Sequence, residues 1–175
     1  SSAITLAWLK EVAAGTPVLV LQKLGAGPWP GWHYSVVVGY DAARGTVTLR
    51  SGTTRRLEVP AERFLITWDR AGRWAMVALP PGTLPADPDF ARYMEAAAGL
   101  EAVGRKDAAA RAYEAAAAHW PDAALPLVGL ANLAYAAGDL PAAEAGFRAA
   151  ALRAPDDVAA RNNRAEVLLE LGCPV

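Results

Sequence analysis

The sequence has very little cysteine and histidine. Cys173 is the one cysteine among 175 residues, and the two histidines, His33 and His119, are far apart. A single cysteine cannot form an internal disulfide, and these residues lack the clustered spacing of a zinc site. We therefore expect neither a disulfide scaffold nor a bound metal or other cofactor.

The sequence also lacks an excess of either charge and lacks long apolar runs. Seventeen basic residues stand against eighteen acidic ones, which gives a net charge of -1. Surfaces that bind nucleic acid or anionic lipid usually carry net positive charge. No apolar run approaches the roughly 20 residues that cross a bilayer, and the start, Ser1-Ser2-Ala3-Ile4, has no signal pattern. We predict no nucleic-acid partner and no membrane span, and we expect the chain to be an excised or processed piece.

Threonine is absent from the second half of the chain. All eight Thr and five of the six Trp lie at or before residue 85, whereas the last ninety residues contain thirty Ala. β-branched and aromatic residues favour strands and Ala favours helix. The composition predicts an α+β chain with a sheet-rich part over 1–80 and an all-helical part over 89–175. The Pro-rich stretch 81–88 can continue neither element and is predicted to be a linker.

Apolar runs in the first part predict a small antiparallel sheet with two helices. Residues 23–32 read as a Gly/Pro/Trp loop, and Asp41 is predicted to open a hairpin turn. The predicted elements are a helix at 5–14, strands at 17–22, 33–40, 46–50 and 54–59, a helix at 60–67, and a strand at 73–79. About eighty residues are few for an independent core, so we expect that part of this domain lies outside the chain.

An internal repeat runs through the second part. Comparison of the sequence with itself at a shift of 34 residues matches Ala97/Ala131, Gly104/Gly138, Ala109/Ala143, Tyr113/Phe147, Ala116/Ala150 and Pro121/Pro155. This order of small residue, Gly turn, Ala, aromatic, Ala and Pro resembles the tetratricopeptide repeat, a helix-turn-helix unit of this period. The predicted repeats are about 90–123 and 124–157, with a partial third repeat at 158–172.

The resemblance to tetratricopeptide repeats implies a concave groove that binds a protein or peptide. Side chains on the first helix of each repeat would line it, without the basic residues that some family members use to bind a carboxylate. These side chains are Met94, Ala98, Val128, Asn132, Tyr135, Asn162 and Glu166. An alternative is that the repeats only cover the apolar face of a neighbouring domain.

A second resemblance covers about residues 5–80. The segments Pro17-Val18-Leu19-Val20-Leu21 and Trp32-His33-Tyr34-Ser35-Val36-Val37-Val38-Gly39-Tyr40-Asp41 carry it, and it continues through Val47-Thr48-Leu49-Arg50-Ser51-Gly52 and Pro60-Ala61-Glu62-Arg63-Phe64 to Trp68. Together they resemble the second half of the papain-like bacterial peptidases that process bacteriocin leader peptides. The resemblance implies the antiparallel-sheet half of a papain-like fold, and it makes a bacterial envelope or periplasmic location possible.

The peptidase resemblance assigns roles to two residues. His33 matches the general base that activates a cysteine thiol, and Ser51 stands where the family has the acid that orients the base. A serine can accept a hydrogen bond but brings no negative charge to an imidazolium. The nucleophilic cysteine belongs to a helix upstream of everything present here, and Cys173 lacks the helix N-terminus or adjacent base that activates a thiol. We therefore expect this chain alone to be inactive as a peptidase.

Several readings remain open from the sequence. The parent protein is either a cysteine peptidase with docking repeats or a non-catalytic scaffold on a degenerate peptidase fold. Without the resemblance, His33 reads as a strand-end histidine bonded to a loop carbonyl. Trp29 and Trp32 could line a cleft or cover the end of the sheet. The arginines at 44, 50, 55, 56, 63, 70 and 73 favour a solvated face over a site for an acidic peptide or nucleic acid.

Overall fold

The computed structural model of the chain describes residues 2–25 and 31–172, and in the first helix it describes side chains from residue 7 onward. The strands are β1 Val18–Leu24, β2 Gly31–Asp41, β3 Thr46–Ser51, β4 Thr54–Pro60 and β5 Ala75–Val77. The helices are α1 Ser2–Ala13, α2 Ala61–Asp69, α3 Phe90–Ala102, α4 Lys106–His119, α5 Leu125–Ala136, α6 Leu140–Arg153 and α7 Val158–Glu170. A five-stranded antiparallel sheet followed by a run of helices confirms the predicted α+β class.

The chain divides into two compact units. The sheet unit comprises Ser1–Leu79 with Pro85–Asp87, and the helical unit comprises Pro80–Leu84 with Pro88–Val175. Within the sheet unit, Glu11 is only 6% exposed, and its Oε1 accepts a hydrogen bond from the backbone nitrogen of Ala86 at 2.6 Å. This bond holds the short segment Pro85–Asp87 to α1.

The sheet runs in the order β4-β3-β2-β1-β5, and one face of it is buried. Side chains alternate along each strand, so every second residue of β1, of β3 and of β2 up to Val37 faces the core. A bulge between Val37 and Gly39 then shifts the register of β2 against β3. α1 and α2 cover this face with Trp8, Phe64 and Trp68, which are at most 5% exposed. The strand residues of the core are Val18, Val20, Val37, Val47 and Leu49.

Two predicted boundaries in the sheet unit differ from the structure. The predicted loop at 23–32 is too long, because β1 continues to Leu24 and β2 begins at Gly31, its partner in the ladder. The predicted strand at 73–79 shortens to Ala75–Val77, because Arg73 still has a left-handed backbone with φ 58° after the turn. Trp29 lies outside the described residues.

The 34-residue repeat of the sequence is also a repeat of structure. α6 begins and ends 34 residues after α4, and Gly104 and Gly138 follow the first helices with φ 75° and 79°. The matched residues inside the helices have matching burial: each of Ala97, Ala131, Ala109, Ala143, Tyr113, Phe147, Ala116 and Ala150 is at most 3% exposed. The sequence repeat therefore marks residues at which neighbouring helices approach closely.

Two helical glycines give a matched test of this packing. A Cβ at Gly129 would lie 2.7 Å from the ring of buried Tyr113, whereas a Cβ at Gly99 meets nothing within 4 Å. We expect Gly129→Ala to lower the free energy of unfolding by about 1–3 kcal/mol through overpacking. Gly99→Ala should raise it by about 0.5–1 kcal/mol, because Ala is the better helix former. Urea unfolding followed by circular dichroism measures both, and a stabilising Gly129→Ala would contradict this packing.

Candidate functional site

His33 and Ser51 lie side by side on the buried face of the sheet, near one end of neighbouring strands. His33 is the third residue of β2 and Ser51 is the last residue of β3. His33 alternates with the core residues Ser35 and Val37, and Ser51 lies two residues beyond buried Leu49. The two-residue period of a strand therefore turns both polar side chains toward the helix-covered face.

The two side chains form a direct hydrogen bond. The distance from His33 Nε2 to Ser51 Oγ is 2.7 Å, and within the described residues Nδ1 has no hydrogen-bond partner. If Nε2–H donates to the hydroxyl, Nδ1 keeps its lone pair and can accept a proton. If the hydroxyl donates instead, Nδ1 carries the proton. Because a hydroxyl both donates and accepts, Ser51 positions the ring without selecting one tautomer.

The pair opens into a cavity of about 280 Å³ that is mostly apolar. Leu24, Leu49, Leu57, Val59 and Phe64 line it together with His33, Ser51, Gln22, Arg63 and Thr67. A concave apolar site with a few converging polar groups is the usual form of a binding or catalytic site. This cavity is therefore the candidate active site of the sheet unit.

Gln22 and Thr67 add a second polar pair to the cavity wall. Gln22 is 5% exposed and lies directly opposite His33 in the β1–β2 ladder. Its Nε2 donates to Thr67 Oγ1 at 2.7 Å, and that hydroxyl donates to the carbonyl of Phe64 at 2.9 Å. The bonds fix α2 against β1 beside the histidine. The sequence analysis did not assign a role to Gln22. A usable signal was present, because Gln22 is a polar residue that continues the alternate positions Val18 and Val20 of β1.

Arg63 also belongs to this cavity, which the sequence did not predict. It lies on the exposed side of α2, yet it lines the same space as His33 and Ser51. No ion-pair partner for its guanidinium exists among the described residues. The cavity thus offers one positive charge to a carboxylate or carbonyl group of a bound molecule.

Other predicted residues lie elsewhere or outside the description. Asp41 opens the β2–β3 turn, because its Oδ1 accepts a hydrogen bond from the backbone nitrogen of Arg44 at 3.0 Å. Trp32 is 59% exposed on the sheet face opposite His33, with the ammonium of Lys23 5.6 Å from its ring centre. Cys173 lies outside the described residues.

Four of the predicted groove residues meet in one cavity of the helical unit. Met94 and Ala98 from α3 and Val128 and Asn132 from α5 line a space of about 440 Å³, together with Phe90, Ala91, Glu95, Tyr113, Leu125 and Gly129. Met94 is 7% exposed, so it forms the floor more than the rim. The wall of the cavity is apolar apart from Glu95, the Asn132 amide and the Tyr113 hydroxyl. That hydroxyl donates a hydrogen bond to Glu101. Burial and this bond raise the pKa of Tyr113.

The remaining predicted groove residues are not brought into that cavity. The Tyr135 hydroxyl donates to Glu170 of α7 at 2.5 Å. This bond, with smaller contributions from burial and from the charges of Glu170 and Glu166, raises the pKa of Tyr135. Asn162 and Glu166 are exposed on α7, one helical turn apart. They form a separate acidic and amide surface beside Tyr135.

Comparisons with known proteins give no family for the chain: no family model matches it, and no curated protein matches it. Among the described residues, no helix is long and apolar enough to cross a membrane. Across residues 2–25 and 31–172, no group of three or more His, Cys, Asp or Glu side chains could hold a metal ion.

Proposed function

We propose that the sheet unit is the carboxy-terminal part of a papain-like bacterial cysteine peptidase domain and that the helical unit is a tetratricopeptide array that binds protein or peptide. The observation that carries this proposal is the His33–Ser51 hydrogen bond of 2.7 Å at the edge of an apolar cavity. In this reading His33 is the general base and Ser51 is a positioning residue. The nucleophilic thiol comes from a segment of the parent protein upstream of Ser1.

The two ring nitrogens of His33 suit this division of roles. Nε2 is held by Ser51, and Nδ1 is without a partner among the described residues, so it can take the proton of a thiol placed beside it. The Gln22–Thr67 bond keeps β1 and α2 fixed around the ring. Arg63 would attract a carboxylate or carbonyl oxygen of a peptide substrate to the same cavity.

The proposed peptide-binding role rests on the cavity between α3 and α5. Its apolar wall, built from Phe90, Met94 and Val128, would accept an apolar side chain of a peptide. The Asn132 amide can donate to and accept from a peptide backbone. A substrate or partner bound here would be retained near the peptidase part by effective concentration.

A thiol-reactive peptide probe tests the catalytic proposal directly, in the protein made from its complete reading frame. We expect labelling at a cysteine upstream of Ser1 that falls sharply in His33→Ala, because loss of the base leaves the thiol mostly protonated. Cys173→Ser should label like the unmodified protein. A Ser51→Ala variant keeps the base and serves as the milder comparison.

The second candidate function is a non-catalytic scaffold, and the substitution of Ser51 for an acid favours it. A serine supplies no charge that would stabilise an imidazolium in the cavity. Labelling that is absent, confined to Cys173, or equal in His33→Ala would leave the protein as a binding scaffold. Labelling that depends on His33 would exclude the scaffold reading.

A further inference from the structure

The sheet face that α1 and α2 leave uncovered carries a continuous apolar row ending in arginine. Met76, Leu19, Val36 and Arg50 lie directly opposite one another in β5, β1, β2 and β3. Their alternation with core residues Val18, Val37 and Leu49 puts all four on the outer face. Neighbouring strands are about 4.8 Å apart, so the row is roughly 14 Å long.

Exposed aromatic side chains lie beside this row. Trp32 and Tyr34 of β2 are each 59% exposed, and Met76 is 48% exposed. Trp74, 41% exposed, meets the Tyr34 ring edge-on with 5.8 Å between ring centres. Single exposed apolar residues are ordinary, but a contiguous group rich in Trp, Tyr, Met and Arg is typical of protein interfaces.

Three arginines line one concavity at the end of the row. Arg50, Arg55 and Arg56 line a concavity of about 340 Å³ whose other walls are Val38, Gly39 and Thr48. Arg56 is 4.0 Å from Glu58, a carboxylate that also pairs with Arg44 at 3.6 Å. Within residues 2–25 and 31–172, Arg50 and Arg55 have no carboxylate partner. Like charges on adjacent strands repel each other, so a carboxylate supplied from outside would relieve this repulsion.

We propose that this outer face docks an acidic amphipathic segment of a partner protein. Aliphatic side chains of the segment cover the row from Met76 to Val36, and its carboxylates bind Arg50 and Arg55. The charge of the arginine cluster selects the acidic partner, and the apolar row selects an amphipathic one. The proposal is independent of the peptidase reading, because His33 and Ser51 lie on the opposite face.

Single-stranded nucleic acid also binds surfaces that combine aromatic rings with arginines. These rings already contact other side chains of the sheet unit, because Tyr34 and Trp74 pack edge to face and the Lys23 ammonium lies over Trp32. The row itself is aliphatic at Met76, Leu19 and Val36. These contacts favour aliphatic side chains of a protein over stacked bases.

Selection from a displayed library of random peptides identifies which side chains this face prefers to bind, and it needs no known partner. We expect the enriched peptides to combine Asp or Glu with Leu, Ile or Met. Arg50→Glu should weaken their binding by about tenfold or more, because it removes a charge-assisted bond and adds a like charge. Arg70→Glu is the matched control: Arg70 is equally a surface arginine, but it follows α2 and should leave binding unchanged. Met76→Ser should weaken binding several-fold.

Three results would overturn the proposal. One is an absence of acidic peptides, or acidic peptides that bind Arg50→Glu as well as the unmodified chain. Another is binding of oligothymidine, in place of peptides, that depends on Arg50. The third is self-association of the chain that is lost in Arg50→Glu, because a second copy of the chain would then be what binds this face. Circular dichroism checks folding, and Arg50→Gln with Arg55→Gln provides a neutral pair of variants should the charge reversal fail to fold.

Discussion

Trp68→Ala is expected to lower the free energy of unfolding of the sheet unit by about 3–5 kcal/mol, the range for removing a large buried aromatic side chain. Trp68 is fully buried, stacks on Phe64 with 5.9 Å between ring centres, and meets Trp8 edge-on at 6.4 Å. Because small domains are stable by only about 5–15 kcal/mol, this loss would remove a large share of the stability. Urea unfolding followed by tryptophan fluorescence measures it.

The hydrogen bond of Trp68 is expected to be a smaller part of that loss. Its Nε1 donates to the carbonyl of Trp74 at 2.9 Å, but this carbonyl also accepts from the backbone nitrogen of Leu21 at 3.2 Å. The carbonyl therefore keeps a partner in the variant. Trp32→Ala is the matched control, because loss of this exposed side chain should lower the free energy of unfolding by about 1 kcal/mol or less. Equal losses in the two variants would contradict the role of Trp68 as the centre of the core.

The sequence predicted the order and type of the elements because hydrophobic periods and helix-forming residues act locally. The run of strand-forming residues from Trp32 to Asp41 and the 34-residue repeat both correspond to elements of the structure. The pairing of β5 with β1 was not predictable in the same way. It joins Ala75–Val77 to a strand more than fifty residues earlier, and the three residues carry no pattern that selects this neighbour.

The candidate site was only partly predictable, because it depends on contacts between distant residues. His33 and Ser51 were chosen by resemblance, and the sequence could not give their 2.7 Å contact. In the sequence, Arg63 is one of several arginines predicted to lie on the surface. Only the placement of α2 in the structure shows that it lines the cavity. Likewise, the split of the arginines into paired and unpaired groups depends on where Glu58 lies in β4. Composition and period carry no information about such pairings.

Ser51→Asp should raise the pH at which the His33 ring titrates by about 1–3 units relative to the unmodified chain. The substitution places a carboxylate within reach of the imidazole, and an opposite charge this close favours the protonated ring. NMR titration of the imidazole protons measures the midpoint, and His119 in the helical unit is the internal reference that should not move.

Ser51→Asn separates the effect of charge from that of hydrogen bonding. The amide has nearly the shape of the carboxylate and can accept the Nε2–H bond, but it carries no charge, so the midpoint should rise only with Asp. The direction of this shift also determines how the stability of Ser51→Asp depends on pH. The extra stability of Ser51→Asp is present below the midpoint of the unfolded imidazole while the carboxylate is ionised, and it is lost as the pH rises through the raised midpoint. An equal rise with Asn would show that hydrogen bonding, and not charge, causes the shift. No rise with Asp would show that position 51 does not contact the His33 ring, and the peptidase proposal would lose its supporting geometry.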